Sequence, residues 1–397
     1  MTGLAGRRLV HLTAADISLA LLLGPQLRAF VAEGMEVIGV SAPGPFVDEL
    51  ESWGVRHVPL RHSTRSVSPG QDLLALPELV RLFRYLAPDI VHTHNPKPGL
   101  LGRVAARAAG VPGIVNTVHG LYAAPEDPLT RRATVYALER VAASCSRFEL
   151  VQNPEDLAVL ARLRVPADHL VLLGNGVDVE RFRPRRSAAD ITRARHALGI
   201  GPSAVVVGTV GRLVWQKGFR ELFTSAARMR QLRPEVVFAV VGPEDGSKGD
   251  ALTPSDLAEA TALGNVVFTG HRDDVEDLYA GFDLFVLPSH REGFPRSAME
   301  AAASGLPIVA TDIRGCREVV EHGVNGVLVP LGDVDALTAA VDELAGDPAR
   351  RGTMGARSRA KAEAEFDDRR VIDTTLDAYR RLPLDRPRRP GGDGARR

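Results

Sequence analysis

Arg212 and Lys217 stand five residues apart in the stretch Gly211-Arg212-Leu213 followed by Lys217-Gly218, directly after an apolar run at 204–210. A forked guanidinium and a compact ammonium on one loop suit a diphosphate, one binding bidentately and the other adding charge density. Gly211 lets the chain turn sharply off the preceding run. The same residues also fit an ordinary solvated loop. A second group is Glu292-Gly293-Phe294-Pro295-Arg296-Ser297-Ala298-Met299-Glu300, after an apolar run at 284–287 and the turn Pro288-Ser289. Pro295 fits the first position of a helix, whose free N–H groups and positive dipole end could hold phosphate oxygens. Glu292 then precedes the helix and Glu300 lies inside it. Two carboxylates beside an anion site suit hydroxyl-rich groups, because a carboxylate accepts both protons of a cis-diol. Failing that, Glu292 is a dipole residue and Glu300 a surface one.

His119-Gly120 ends another apolar run, at 114–118, where a histidine can meet a ligand as donor or acceptor. His92 and His94 share one strand face, a hint of metal, but no third ligand has suitable spacing and no metal is expected. Asp333 reads as a helix N-cap, Asp273–Asp277 as a helix start and Cys316 as packing. There is no Walker A loop and no G-x-G-x-x-G opening the first helix.

These residues need a scaffold, and the rest of the chain outlines one. Strand-like runs at 9–12, 37–40, 57–60, 90–92, 114–118 and 150–152 are followed by a second series at 204–210, 236–241, 266–268, 284–287, 308–310 and 327–329. They are continuously apolar, as in parallel strands covered on both faces. Helix-length patterns separate them, at 77–86, 100–109, 129–144, 221–230 and 336–344 among others, so the reading is α/β with two doubly wound domains. The motifs fall at strand ends, where open α/β sheets bind ligands. An arginine-rich stretch after Phe182 sets the boundary. The domains are then 1–182 and 183–365, with a helix at 366–382 that can cross back to the first domain and a disordered tail at 383–397 rich in Pro, Gly and Arg.

With 397 residues, 45% of them hydrophobic and 25% charged, two soluble domains are expected. The 49 basic and 49 acidic residues cancel, which argues against nucleic acid as a partner. Two cysteines make no disulfide framework and suit a reducing cytoplasm. Only four cations are lysines, which draws attention to Lys217 inside its motif.

Taken in this order, the Gly211–Gly218 motif and the E-x7-E frame of Glu292 and Glu300 resemble the retaining glycosyltransferases of family 4. Asn175-Gly176-Val177-Asp178 with Arg181-Phe182, Gly270 and Pro288-Ser289 add to the likeness. The segments HTHNPKPGLLGR (92–103), NTVHGLY (116–122) and REGFPRSAMEAAASGLPIVATDIRGCREVV (291–320) are similar to the capsular-polysaccharide and lipid-linked-oligosaccharide subgroup. The resemblance implies the GT-B fold, two Rossmann-like domains facing across a cleft. It implies transfer of a hexose or N-acetylhexosamine from a nucleotide sugar, UDP-linked, to a polyprenyl-diphosphate-linked or other glycan acceptor, without a cofactor or metal. Arg212 and Lys217 would then neutralise the donor diphosphate, Glu300 hold the ribose, Glu292 contact the transferred sugar, and His119 bind that sugar from the first domain. Gly211, Gly293, Phe294, Pro295 and Arg296 would line the donor phosphate, with Arg272 near the base. His94, Asn95, Lys97 and Ser18 would lie on the acceptor side. The loop Thr13-Ala14-Ala15-Asp16-Ile17-Ser18 departs from the Gly-Gly pair of other members. A non-catalytic sugar-nucleotide-binding subunit and a UDP-sugar epimerase or phosphorylase remain alternatives.

A cytoplasmic enzyme with a lipid-linked acceptor is expected to touch the inner face of the plasma membrane. Arg81, Phe83, Arg84 and Tyr85, with Lys97, Arg103 and Arg107, are the residues the sequence offers for a basic and aromatic contact with anionic lipid, and they fit an ordinary solvated helix face equally well.

Overall fold

A strand that helices cover on both faces must be apolar on both, and both series of runs fold in that way. A computed structural model describes residues 3–61, 69–94, 96–123, 127–185, 187–246 and 249–384, and the side chains of all of these but 69–73. Two units result: Met1–Gly174 with Val371–Arg397, and Asn175–Arg370. The first holds β1 (Arg8–Ala15), β2 (Glu36–Ala42), β3 (Arg56–Pro59), β4 (Ile90–His94), β5 (Gly113–Val118), β6 (Phe148–Val151) and β7 (Leu170–Leu172), in the order β3-β2-β1-β4-β5-β6-β7. The second holds β8 (Val205–Val210), β9 (Val236–Val241), β10 (Val266–Phe268), β11 (Leu284–Leu287), β12 (Ile308–Thr311) and β13 (Gly326–Val329), in the order β10-β9-β8-β11-β12-β13. Neighbouring strands are parallel throughout.

Each sheet reverses its winding once. β1 lies between β2 and β4, and β8 lies between β9 and β11. The crossovers on either side of such a point run to opposite faces, which leaves a crevice at the strands' carboxyl ends. The loops after β8 and β11 therefore meet, and these loops carry the Arg212–Lys217 and Glu292–Glu300 motifs. Gly218 shows how tightly: its φ is +79°, and a Cβ there would stand 1.9 Å from the carbonyl oxygen of Pro288.

Three boundaries differ from the sequence reading. The units divide after Gly174, before the expected boundary at Phe182, because Val177, Val179, Phe182, Leu198 and Ile200 are core residues of the second unit. Of the arginines in that stretch, Arg183 and Arg193 are exposed, while Arg185 and Arg195 pair with Asp277 and Asp283. The helix read at 77–86 runs Pro69–Leu86 with Pro77 inside it, and Leu79, Phe83 and Leu86 bury against the sheet. The last helix, Asp368–Arg380, begins in the second unit and belongs to the first from Val371, where Leu376, Ala378 and Tyr379 join Leu9, Phe30, Ile90 and Phe148 in one core. Leu382 and Leu384 continue that core and Pro383 is exposed, while the remainder of the expected tail lies outside the described residues.

Candidate functional site

In the second unit the site is built from two loop tips and one helix. Lys217 Nζ lies 2.6 Å from Glu292 Oε1, an ion pair with side chains 23% and 10% exposed. Gly315 holds the Glu292 loop from behind, since a Cβ there would meet the Glu292 carbonyl at 2.7 Å. Behind Glu292 runs the helix Arg296–Ala303, which buries Ala298, Met299, Ala301, Ala302 and Ala303. The four alanines among these let it sit close on the sheet. Its C-terminal end is tied down by Arg359 Nη1, which donates to the Ala303 carbonyl at 2.8 Å and to those of Val179 and Phe182. Pro295 is the residue before the helix rather than its first, with ψ at 110°. Having no N–H, it leaves the amides of Arg296 and Ser297 as the first donors at the helix start.

Glu300 is far from a surface residue. Its side chain is 12% exposed and takes hydrogen bonds from Tyr279 Oη at 3.0 Å and Arg296 Nε at 3.2 Å. Burial pushes its pKa up, against the pull of Arg296 and Tyr279. Arg212 and Arg272 are engaged differently. Arg212 pairs with Asp245 at 2.8 Å and is half exposed, and Arg272 grips Asp274 with two bonds of 2.8 and 2.6 Å. Phe294 packs edge-on against Phe366, and its carbonyl accepts from Asn175 Nδ2 at 3.3 Å.

In the first unit the strand ends carry a chain of histidines. His11 Nδ1 lies 2.8 Å from His94 Nε2, and His94 Nδ1 lies 3.1 Å from His119 Nε2. Tyr379 Oη joins His11 Nε2 at 3.4 Å and His92 Nδ1 at 2.5 Å, and His92 Nε2 meets Thr117 Oγ1 at 2.8 Å. A neutral imidazole has one donor and one acceptor nitrogen, so the proton position on one ring dictates the next. The chain has two self-consistent arrangements, running in opposite directions from Tyr379 to His119. Burial holds His11 down at about 3 and His119 at about 4, and lowers His92 and His94 as well, so all four rings are neutral near pH 7.

Both halves match family models. One described as Glycosyl transferases group 1 covers residues 204–347, and one described as Glycosyltransferase Family 4 covers 26–181. A UDP-Gal:alpha-D-GlcNAc-diphosphoundecaprenol alpha-1,3-galactosyltransferase of Escherichia coli is 31% identical over 340 residues, 85% of this chain and 86% of that one. The chain is a family 4 glycosyltransferase. The capsular polysaccharide biosynthesis glycosyltransferase CapM of Staphylococcus aureus is 27% identical over 379 residues, 94% of this chain and 97% of that one. In fold, this glycosyltransferase is similar to Anabaena HepE, solved in complex with UDP, with a TM-score of 0.78 at 24% identity over 95% of this chain and 100% of that one. The fold is GT-B.

Within the glycosyltransferase some expected residues gather and others do not. Gly211, Lys217, Glu292, Gly293 and the start of the Arg296–Ala303 helix converge on one switch point, with Glu300 behind them. His94 is fully buried with both ring nitrogens engaged, so it braces His119 rather than meeting an acceptor. Lys97 is half-buried on the helix Pro96–Ala109, Ser18 opens a short helical turn, and Asn95 lies outside the described residues. Asp16 is buried and accepts from the amides of Ile17 and Phe46, both at 2.8 Å, so the departed loop is held by its own carboxylate.

The sequence reading found no third partner for His92 and His94; the sheet supplies His11, in register with His92 across β1 and β4. Each bond of the chain already uses these nitrogens, so a metal ion there would have to break them. Tyr379 was missed too, as a tyrosine in a distal helix has no local mark of its partners.

The neutral rings set a pH dependence. Their folded pKa values lie below the ordinary 6.5 of histidine, so the unfolded chain gains protons first as pH falls. Stability is full above about pH 6.5 and declines toward about pH 4, by up to about 1.4 kcal/mol per pH unit for each ring. Urea unfolding near pH 7 and near pH 5 should show the loss; equal midpoints would mean that the folded rings take up protons.

Proposed function

We propose that this glycosyltransferase moves a hexose or N-acetylhexosamine, with retention, from a UDP-sugar to a polyprenyl-diphosphate-linked or other glycan acceptor in cell-surface polysaccharide synthesis. The observation that carries the reading is the Lys217–Glu292 pair at the switch point, with the start of the Arg296–Ala303 helix and the buried Glu300 next to it. Breaking the anomeric C–O bond sends its electron pair to the diphosphate, so the site's main task is to stabilise a growing anion. Lys217 is in place for that, fixed by Glu292, and the half-exposed Arg212 joins it by leaving its partner Asp245. The helix amides add hydrogen bonds, and no divalent metal is required.

Glu292 accepts hydroxyls of the transferred sugar and Glu300 those of the ribose, with Arg272 on the side of the base. A neutral His119 can donate to or accept from a sugar hydroxyl without adding charge. In same-face attack the acceptor oxygen bonds the anomeric carbon and its proton passes to a leaving phosphate oxygen, so no carboxylate nucleophile is needed. The E. coli relative's name specifies a diphosphoundecaprenol-linked acceptor, and CapM's specifies capsule synthesis, which supports a lipid-linked acceptor here. Such an acceptor sits in a bilayer, so the enzyme works as a peripheral protein on the cytoplasmic face.

The test is UDP release from a donor panel with a polyprenyl-diphosphate sugar present, and NMR of the product. An α-configured glycoside from an α-linked donor supports the reading. Tight UDP binding without turnover would favour a non-catalytic subunit, and epimerised sugar or sugar phosphate would favour the epimerase or phosphorylase.

A further inference from the structure

Among the described residues no helix is long and apolar enough to cross a membrane. The basic and aromatic contact expected around Arg81 and Arg103 does not form as one face. Phe83 is buried in the core, and Arg103 is buried between Glu139 and Glu149, while Arg81, Arg84 and Tyr85 point outward. A different helix of the first unit has the opposite arrangement.

The helix Leu129–Ala143 is built inside out. At 100° per residue, Leu129, Ala133, Ala137 and Val141 follow one another along a stripe, and Leu138 stands about 180° from Leu129, at the other edge of the outward half. All are exposed, with Leu129 at 77%, Val141 at 58% and Leu138 at 47%. The stripe spans about 18 Å at 1.5 Å per residue. Arg131 and Arg140 flank it on either side, both exposed. Tyr122 is 57% exposed and lies under the guanidinium of Arg131 at 5.7 Å. The helix's one acid, Glu139, faces inward and is held by the buried Arg103 at 2.8 Å. The nearest other acid, Asp127, precedes the helix and pairs with Arg131 at 3.4 Å. Among the described residues the outward face of the helix therefore combines apolar side chains with Thr130 and Thr134, has cations near its edges and carries no acid of the helix itself.

A protein spends its charged residues on water and its leucines on the core, so this inversion needs an occupant. Apolar side chains between arginines match the two layers of a lipid surface, acyl chains beneath anionic headgroups. We propose that the outward face of Leu129–Ala143, with Tyr122, docks this protein on an anionic bilayer. Leu129, Leu138 and Val141 enter the headgroup boundary, and Arg131 and Arg140 pair with lipid phosphates. The charge rules against a second copy of this chain, since two such faces would bring four arginines together.

Co-sedimentation of the full chain with vesicles tests this without any substrate. Phosphatidylglycerol–phosphatidylcholine vesicles should bind the protein and pure phosphatidylcholine vesicles should bind it far less. Replacing both Arg131→Gln and Arg140→Gln should weaken partition about thirtyfold, from about fivefold per arginine. Replacing Leu129→Gln, Leu138→Gln and Val141→Gln should remove the binding that survives high salt. Equal binding to both vesicle types, or unchanged binding by both variants, overturns the proposal. So does a dimer that the leucine variant splits, because a second copy would then cover the face. A chain that sediments but transfers no sugar would overturn the transferase reading and leave this one standing.

Discussion

Lys217→Ala is expected to lower turnover by about 10²–10³-fold, the cost of removing one preorganised group from a developing anion. The ammonium is held before any donor arrives, at 2.6 Å from a carboxylate that is itself only 10% exposed. That placement makes its field available without reorganisation as the diphosphate leaves. The loss should fall on kcat more than on KM, because the extra charge exists only as the C–O bond breaks. Lys217→Arg should recover little, since a planar fork does not replace a point charge at the same distance. Arg212→Ala should cost less than Lys217→Ala, because Arg212 is half exposed and already engaged with Asp245. Steady-state kinetics with a saturating donor decides it, with circular dichroism to confirm the fold. Turnover within about twofold of the parent would remove Lys217 from the chemistry.

Such a pair could be named from the sequence but not joined. Gly211-Arg212 and Glu292-Gly293 each announce themselves by a strand, a glycine and a charge. That Lys217 and Glu292 touch depends on β8 and β11 being neighbours, which the crossover connections decide and local pattern does not. The strands themselves were legible because burial on both faces writes an unbroken apolar run. β7 escaped because it is three residues at a sheet edge, with Leu172 half exposed. Glu300 was read either as a ribose ligand or as surface; its burial follows from Tyr279, a residue in another short helix. His11 was hidden inside an apolar strand, where one polar residue gives no period. The basic and aromatic face read around Arg81 and Arg103 came apart for a related reason, with Phe83 and Arg103 buried. Exposed arginines and buried ones have the same letter, and Leu129–Ala143 looked like a helix whose leucines belong inside.

Arg103 is the buried one, and its removal should be the most destabilising single change in the first unit. It is 1% exposed, and it donates to Glu149 Oε1 at 2.8 Å and to the Gly99 carbonyl at 2.7 Å while pairing with Glu139. Glu149, equally buried, also accepts from Asn116 Nδ2 at 2.8 Å and from Ser146. Burial already pushes the Glu149 pKa up, with Glu139 adding to it, and Arg103 is the main opposing pull. Arg103→Leu leaves that carboxylate without a cation, at a cost of about 3–5 kcal/mol in urea unfolding near neutral pH. The sign of its pH dependence follows. Without Arg103 the folded pKa of Glu149 rises further above its unfolded value, so lowering the pH protonates it in the folded state first and the deficit shrinks. Adding Glu149→Leu should restore part of the loss, because a pair replaced by apolar groups avoids the stranded charge. A deficit that is the same at low and neutral pH, or is deepened by the second substitution, would mean that packing around the guanidinium's stem dominates instead. The double variant also leaves Glu139 unpaired at the base of the helix Leu129–Ala143. An acid freed to turn outward there would repel anionic lipid, so vesicle binding should weaken in a protein whose stability has partly recovered.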